Sequence, residues 1–337
     1  MRILKCLLIG YLFLTLSACN GQDEIKINGV SFVAAGGATD SSEVQPIVNA
    51  NANYAAIMPF AYIKSLDHSE IMFNSDRQWF GERVEGVKQY IEELRKYQIK
   101  VMIKPQIWVG RGDFTGNIKM TSEANWKALE ESYSNFILTF VELAEEINAE
   151  MLCIGTELEL FIKHRPEYWT DLIRKIRTQY KGKLTYAANW DEFKRTPFWD
   201  QLDYIGVDAY FPVSDEKTPT VETCIEGWKV HKPIIKGLSE QYQKPILFTE
   251  YGYRSVDYSA REPWVYDRSM NQVNLQAQVN ATRALYETFW NEEWFAGGFI
   301  WKWFTFHERA GGKEDNQFTP QNKPVEEIIK AYYKIED

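Results

Sequence analysis

Met151-Leu152-Cys153-Ile154-Gly155-Thr156-Glu157 is a short, apolar, β-prone run that ends on a carboxylate. Pro245-Ile246-Leu247-Phe248-Thr249-Glu250 repeats the form. Neither run alternates polar with apolar residues, so each fits a strand buried on both faces, as in a parallel sheet. Folding does not require a glutamate at the end of such a strand. The carboxylate costs desolvation unless something pairs with it.

Working outward, six more runs of the same kind are predicted as strands: Gly29 to Ala34, Tyr54 to Phe60, Lys100 to Trp108, Leu184 to Trp190, Tyr204 to Tyr210, and Gly298 to Trp303. Between them lie segments with helical period. Val84, Val87, Tyr90, Ile91, Leu94 and Tyr97 form one apolar face. Leu129, Tyr133, Phe136, Ile137, Phe140, Leu143 and Ile147 form another, with Thr121 and Ser122 as N-cap candidates. Pro166 opens a third and Leu275 begins a later one. Eight strands alternating with helices predict a (β/α)8 TIM barrel, a single domain over residues 28–337. The rival is an open doubly wound sheet, but no glycine-rich phosphate fingerprint follows the first strand.

In a barrel of this type the chemistry gathers at the C-terminal strand ends. Glu157 and Glu250 belong there, and so do Asn189, Trp190, Tyr210, Trp301 and Trp303. Trp301 and Trp303 are two residues apart, which places them on one face of a strand. A long loop from Tyr251 to about Met270 carries Tyr253, Arg254, Tyr258, Trp264 and Tyr266 and is expected to wall a cleft. Two carboxylates facing each other across that cleft are what glycosidic hydrolysis requires: an acid for the leaving oxygen, and a base or nucleophile at the sugar carbon. Glu159 shares the parity of Glu157 but falls beyond the strand end. Asp208 points into the barrel by alternation and reads as structural.

The 337 residues carry a formal net charge of −9 and no basic run, which argues against a nucleic-acid partner. The same balance favours neutral over anionic polysaccharides. Twelve Trp, 19 Tyr and 19 Phe supply a large core, sugar-stacking platforms, or both. The N-terminus reads as a targeting segment: a basic start at Arg2 and Lys5, an apolar stretch from Cys6 to Leu16, then Leu16-Ser17-Ala18-Cys19. The last four residues look like a bacterial lipobox. Residues 1–18 are therefore expected to be a signal peptide and 19–27 a tether lipidated at Cys19. A cell-envelope location with membrane contact through that lipid alone follows, and a monomer is expected. Cys153 and Cys224 remain, with Cys153 read as a buried filler and no disulfide expected. Four scattered histidines give no metal-ligand spacing, and neither metal nor cofactor is expected.

A carboxylate at the end of strand four and another at the end of strand seven resemble clan A glycoside hydrolases, which retain anomeric configuration. The strings Lys104-Pro105-Gln106, Ile154-Gly155-Thr156-Glu157-Leu158-Glu159, Gly206-Val207-Asp208-Ala209-Tyr210-Phe211-Pro212 and Phe248-Thr249-Glu250-Tyr251-Gly252-Tyr253 more narrowly resemble glycoside hydrolase family 113. That family is associated with β-1,4-mannan hydrolysis, and the resemblance spans most of residues 28–306. It implies Glu157 as general acid/base, Glu250 as nucleophile, Tyr210 as a hydrogen-bond donor to the nucleophile, and Trp301 or Trp303 as the floor of the subsite holding the reacting sugar. The clan often has asparagine before the acid, where this chain has Thr156. The contact to the sugar 2-hydroxyl is then expected to differ or to come from Asn189. Gln106 stands where a histidine is expected. Trp108, Trp190 and Lys104 complete the candidate substrate-binding set, with Lys104 read as a salt-bridge partner rather than a Schiff-base lysine.

The roles set the ionisation. Glu250 must be charged to attack, with Arg254 or Lys104 as candidate cations beside it. Glu157 must start protonated, and a charged neighbour raises its pKa. The implied activity is double displacement on β-mannan or manno-oligosaccharides. An exo-β-mannosidase, another clan A β-glycanase, a non-catalytic glycan-binding lipoprotein and a structural envelope protein are the alternatives.

Overall fold

The structure is a computed structural model that describes residues 25–265 and 270–334. The segment expected to be a signal peptide, the expected lipidation position Cys19, and Tyr266 lie outside the described residues.

Eight parallel strands close into a barrel. They are β1 (Ile27–Phe32), β2 (Tyr54–Ile57), β3 (Lys100–Ile103), β4 (Met151–Thr156), β5 (Lys183–Asn189), β6 (Ile205–Asp208), β7 (Ile246–Tyr251) and β8 (Phe295–Trp303). Each pairs with its neighbour in the chain, and β1 closes the ring against β8. Helices pack outside, among them Val84–Arg95, Glu123–Glu146, Pro166–Gln179 and Leu275–Phe289. Of the two N-cap candidates, Ser122 caps the long helix, accepting the Asn125 N–H at 3.2 Å.

Alternation divides the apolar residues between two compartments. Ile27, Ala56, Met102, Met151, Cys153, Ala187, Leu247 and Phe299 meet inside the barrel. Their neighbours in sequence face the helix layer. The interior is tight: a Cβ on Gly29 would lie 2.4 Å from the Phe299 ring. Cys153 belongs to this plug, and both Cys153 and Cys224 are buried free thiols.

Two of the expected strands are longer in the sequence than in the barrel. The runs Tyr54 to Phe60 and Lys100 to Trp108 each break after four residues, at Pro59 and Pro105. Proline lacks the N–H that a central ladder needs. Past each break the chain resumes as a strand of a separate sheet. Phe60–Ile63 pairs in parallel with Gln106–Val109 and in antiparallel with Ile71–Met72. This satellite sheet rises from the barrel mouth on the β2–β3 side.

The seam between β1 and β8 is reinforced from the last helix, Pro324–Tyr333. The Tyr333 hydroxyl donates to the Gly29 carbonyl at 2.8 Å and meets the Tyr251 hydroxyl at 2.6 Å. Asn28 Nδ2 donates to the Tyr333 carbonyl, and Trp290 Nε1 to Asn28 Oδ1 at 2.9 Å.

Candidate active site

Glu250 is the penultimate residue of β7 and is 7% exposed. Strict alternation would not point it inward, because Leu247 faces the interior and Phe248 the helix layer. A ladder slip corrects this. Phe248 pairs with Val207 and Glu250 with Asp208, two steps of β7 against one of β6. Such a bulge re-aims the side chain beyond it. Three donors then converge on the carboxylate. Oε1 accepts from the Lys104 ammonium and from Gln106 Nε2 at 2.8 Å, and Oε2 accepts from the Tyr210 hydroxyl at 2.8 Å.

Lys104 is fully buried and serves two carboxylates. Its Nζ lies 3.6 Å from Asp208 Oδ1. Burial alone would depress the ammonium, but the Asp208 and Glu250 charges outweigh it and hold Lys104 above the ordinary lysine pKa. Of the two candidate cations, Lys104 is thus the one beside Glu250. Arg254, the other candidate, gives its Nε and Nη2 to the carbonyls of Asn316 and Met270.

Glu157 follows directly on β4. The β4–β5 ladder slips between Cys153 and Thr156, and Glu157 leaves the strand in the left-handed region, with φ 52°. That conformation is uncommon outside glycine and clusters where function over-determines the backbone. The turn is pinned on both sides: the Glu157 N–H donates to the Ala187 carbonyl at 2.8 Å, and the Leu158 N–H to the Tyr186 hydroxyl at 2.6 Å. Glu159 opens the next helix and pairs with Arg195 at 2.6 Å.

The Glu157 carboxyl is pushed well above the usual range, first by burial, then by the charges of Asp208 and Glu250, with Lys104 opposing. Asp208 is raised to about 7 by burial and by Glu250, against Lys104 and a 2.8 Å hydrogen bond from Thr249. One buried ammonium does not balance three carboxyl groups, so the cluster holds a proton near neutrality.

The other sequence candidates divide. Trp301 is partly exposed at the mouth, whereas Trp303 is fully buried. The expectation that they share a face therefore needs correction. The β1–β8 ladder slips between Ile300 and Trp303, so alternation is broken between them. Trp303 stacks on His307 at 5.6 Å, within the core. Trp190 is partly exposed, stacks on Trp264 at 5.0 Å, and meets Phe211 edge-on. Trp108 is 56% exposed. Thr156 Oγ1 and Asn189 Oδ1 are buried without a hydrogen-bond partner among the described residues. Tyr253 is buried and does not line the cleft.

Three participants were not assigned from the sequence. Gln106 donates to Glu250; its parity with Lys104, two residues earlier, was the available signal. Glu192 is 2% exposed and accepts from the Tyr186 hydroxyl at 2.7 Å and from the Asn189 N–H at 3.1 Å. It stands behind the Glu157 turn through Tyr186, and no local motif announces that. Lys302 places its ammonium 5.3 Å from the Trp301 ring centre and 5.2 Å from that of Phe304.

The model of glycoside hydrolase family 113 matches residues 36–323. This chain belongs to that family. It is a glycoside hydrolase of family 113 on a single (β/α)8 barrel. A GH113 β-1,4-mannanase solved as a complex is 23% identical, over 91% of this chain and 98% of its own, with a TM-score of 0.79. The GH113 β-mannanase of Alicyclobacillus acidocaldarius, solved with ManMIm, is 24% identical over 91% and 97%, also at 0.79. A β-glucuronidase of Faecalibacterium prausnitzii shares the fold at 16% identity and a TM-score of 0.58, with the match spanning 92% of this chain and 49% of that one. No curated protein matches the sequence. The family-113 match includes both strand-end glutamates, Lys104, Gln106 and Tyr210.

Proposed function

We propose that this family-113 hydrolase is a retaining endo-β-1,4-mannanase. The observation that carries the reading is the unequal treatment of two carboxyl groups at one barrel mouth. Glu250 receives three donors, one a buried ammonium, and suits the role of charged nucleophile. Glu157 is raised well above the ordinary range and suits the role of acid.

Glu250 attacks the anomeric carbon while Glu157 protonates the leaving oxygen. The glycosyl ester that forms removes the Glu250 charge. That charge is one of the causes holding Glu157 up, so the Glu157 pKa falls at the moment a base is needed. Glu157 then takes a proton from water, and the hydroxide releases the sugar with retention. Trp301 supports the reacting ring, and Thr156 and Asn189, with unpartnered oxygens, receive its hydroxyl groups. Exposed aromatic rings on two sides of the mouth, Trp108 on one and Trp190 with Trp264 on the other, support an open groove and endo action. Mannan is the substrate named for the family-113 structures that match over nearly the whole chain.

The test is product release from manno-, cello- and xylo-oligosaccharides by the wild type, Glu157→Gln and Glu250→Gln. Cleavage of mannosides alone, lost in both variants, is expected. Folded wild type that releases nothing from the mannosides would overturn the substrate assignment.

A further inference from the structure

Strand Gln106–Val109 of the satellite sheet leads away from the nucleophile. Gln106 touches Glu250, and Trp108 lies two residues on with the same parity, about 7 Å further out. Tyr62 pairs with Trp108 across the sheet and is 37% exposed. Facing them is Trp79, 57% exposed on a backbone that is nonetheless tied down. Gln78 donates to the Phe60 carbonyl and accepts from the Ser75 N–H at 2.9 Å, and the Gly81 N–H donates to the Ala35 carbonyl at 3.0 Å. The Trp79 amide faces the Glu82 carboxylate. Trp79, Trp108, Tyr62, Gln78 and Glu82 are among the residues that line an open cavity of about 330 Å³.

Large aromatic rings left in water on a fixed backbone are not needed by the core and mark a recognition surface. Two indoles and a phenol offer flat apolar faces, and Glu82 and Gln78 offer acceptors and donors at the rim. That combination suits a pyranose, with apolar ring faces and a hydroxyl edge. Continuity along one strand with the Gln106–Glu250 contact ties the cavity to the same glycan.

Building on the activity proposed above, we infer that the satellite-sheet cavity is a remote sugar subsite that grips the substrate chain away from the scissile bond and sets a preference for longer oligosaccharides. Occupying it does not touch the reacting atoms. It adds binding energy that a long substrate uses and a short one lacks.

The experiment compares kcat/KM on mannotriose and mannohexaose for wild type, Trp79→Ala, Trp79→Tyr and Glu82→Gln. Binding of both sugars to the Glu250→Gln protein, with and without Trp79→Ala, is followed by tryptophan fluorescence. Trp79→Ala is expected to lower kcat/KM on the hexaose about tenfold or more relative to the triose, with Trp79→Tyr restoring most of it. Hexaose affinity in the Glu250→Gln background falls in parallel. If wild type cleaves mannosides and Trp79→Ala leaves the hexaose-to-triose ratio and the affinity unchanged, the subsite is overturned while the activity stands. If the protein neither cleaves nor binds any mannoside, both fall.

Discussion

The Tyr210 hydroxyl donates to Glu250 Oε2 at 2.8 Å, from just past the strand beside the one that carries the glutamate. It fixes the oxygen that the Lys104 and Gln106 donors leave free. Tyr210→Phe removes a hydrogen bond to a charged group, a loss of roughly 1.5–3 kcal/mol. The expected result is a fall in kcat of roughly ten- to a hundredfold with little change in melting temperature. Steady-state kinetics on a manno-oligosaccharide, with a thermal melt, checks it.

Lys104 is the only cation within salt-bridge distance of Glu250 or Asp208 among the described residues. Lys104→Met strands two buried carboxyl groups. Breaking a buried pair by removing one partner costs about 3–5 kcal/mol. Denaturant unfolding at pH 7 is expected to show a loss of that order, and activity should disappear with it. A variant as stable as wild type would show that the two carboxyl groups carry no charge needing Lys104.

The pH profile follows from Glu157. In the proposed mechanism Glu157 must hold its proton as the acid, so activity is expected to decline as pH rises through its pKa, on a limb above the ordinary carboxylate range. After burial, Asp208 is the largest cause of the shift. Asp208→Asn deletes a negative charge that disfavours ionisation of Glu157. The alkaline limb of kcat/KM is expected to move to lower pH. No movement, or movement upward, would contradict this electrostatic assignment.

Glu192 governs a different pH dependence. Burial raises its carboxyl to about 8, against the hydrogen bonds from Tyr186 and Asn189. A carboxyl with a folded pKa above its unfolded value of 4.5 binds protons more tightly in the folded state. Its stabilisation is full below about pH 4.5 and is lost as pH rises through about 8. Glu192→Gln, which mimics the protonated form, should flatten the fall in melting temperature between pH 5 and pH 9. An unchanged slope would sink the assignment.

The barrel was legible because each wall segment is a short apolar run and each connection has helical period. Glu157, Glu250, Lys104 and Tyr210 stand out as polar groups at the ends of such runs, and the structure brings all four to one mouth. What escaped the sequence was ladder irregularity. Alternation alone turns Glu250 outward and keeps Trp303 with Trp301; bulges at Phe248 to Glu250 and at Ile300 to Trp303 reverse both. A bulge arises from the match between two neighbouring strands, which neither strand encodes alone. The satellite sheet was hidden for a related reason: Pro59 sits inside the apolar run Tyr54 to Phe60 and Pro105 between Lys104 and Gln106 in the run Lys100 to Trp108, and only pairing shows where each run changes sheets. The Tyr186–Glu192 support is a tertiary contact between a strand and the turn beyond it.

The closure of the ring has a consequence in time. Asn28 pairs with Gly298, so the first strand finds its second neighbour only after nearly the whole chain exists, and Tyr333 must arrive for its hydroxyl to reach Gly29. Among the described residues the hydrogen bond of longest sequence separation, Asn28 to Tyr333, thus falls at the joint that turns an open sheet into a cylinder. Until then β1 has one free edge, able to pair with another chain. During synthesis a nascent chain halted short of helix Pro324–Tyr333 is the form most exposed to misassembly, and that helix acts as the latch.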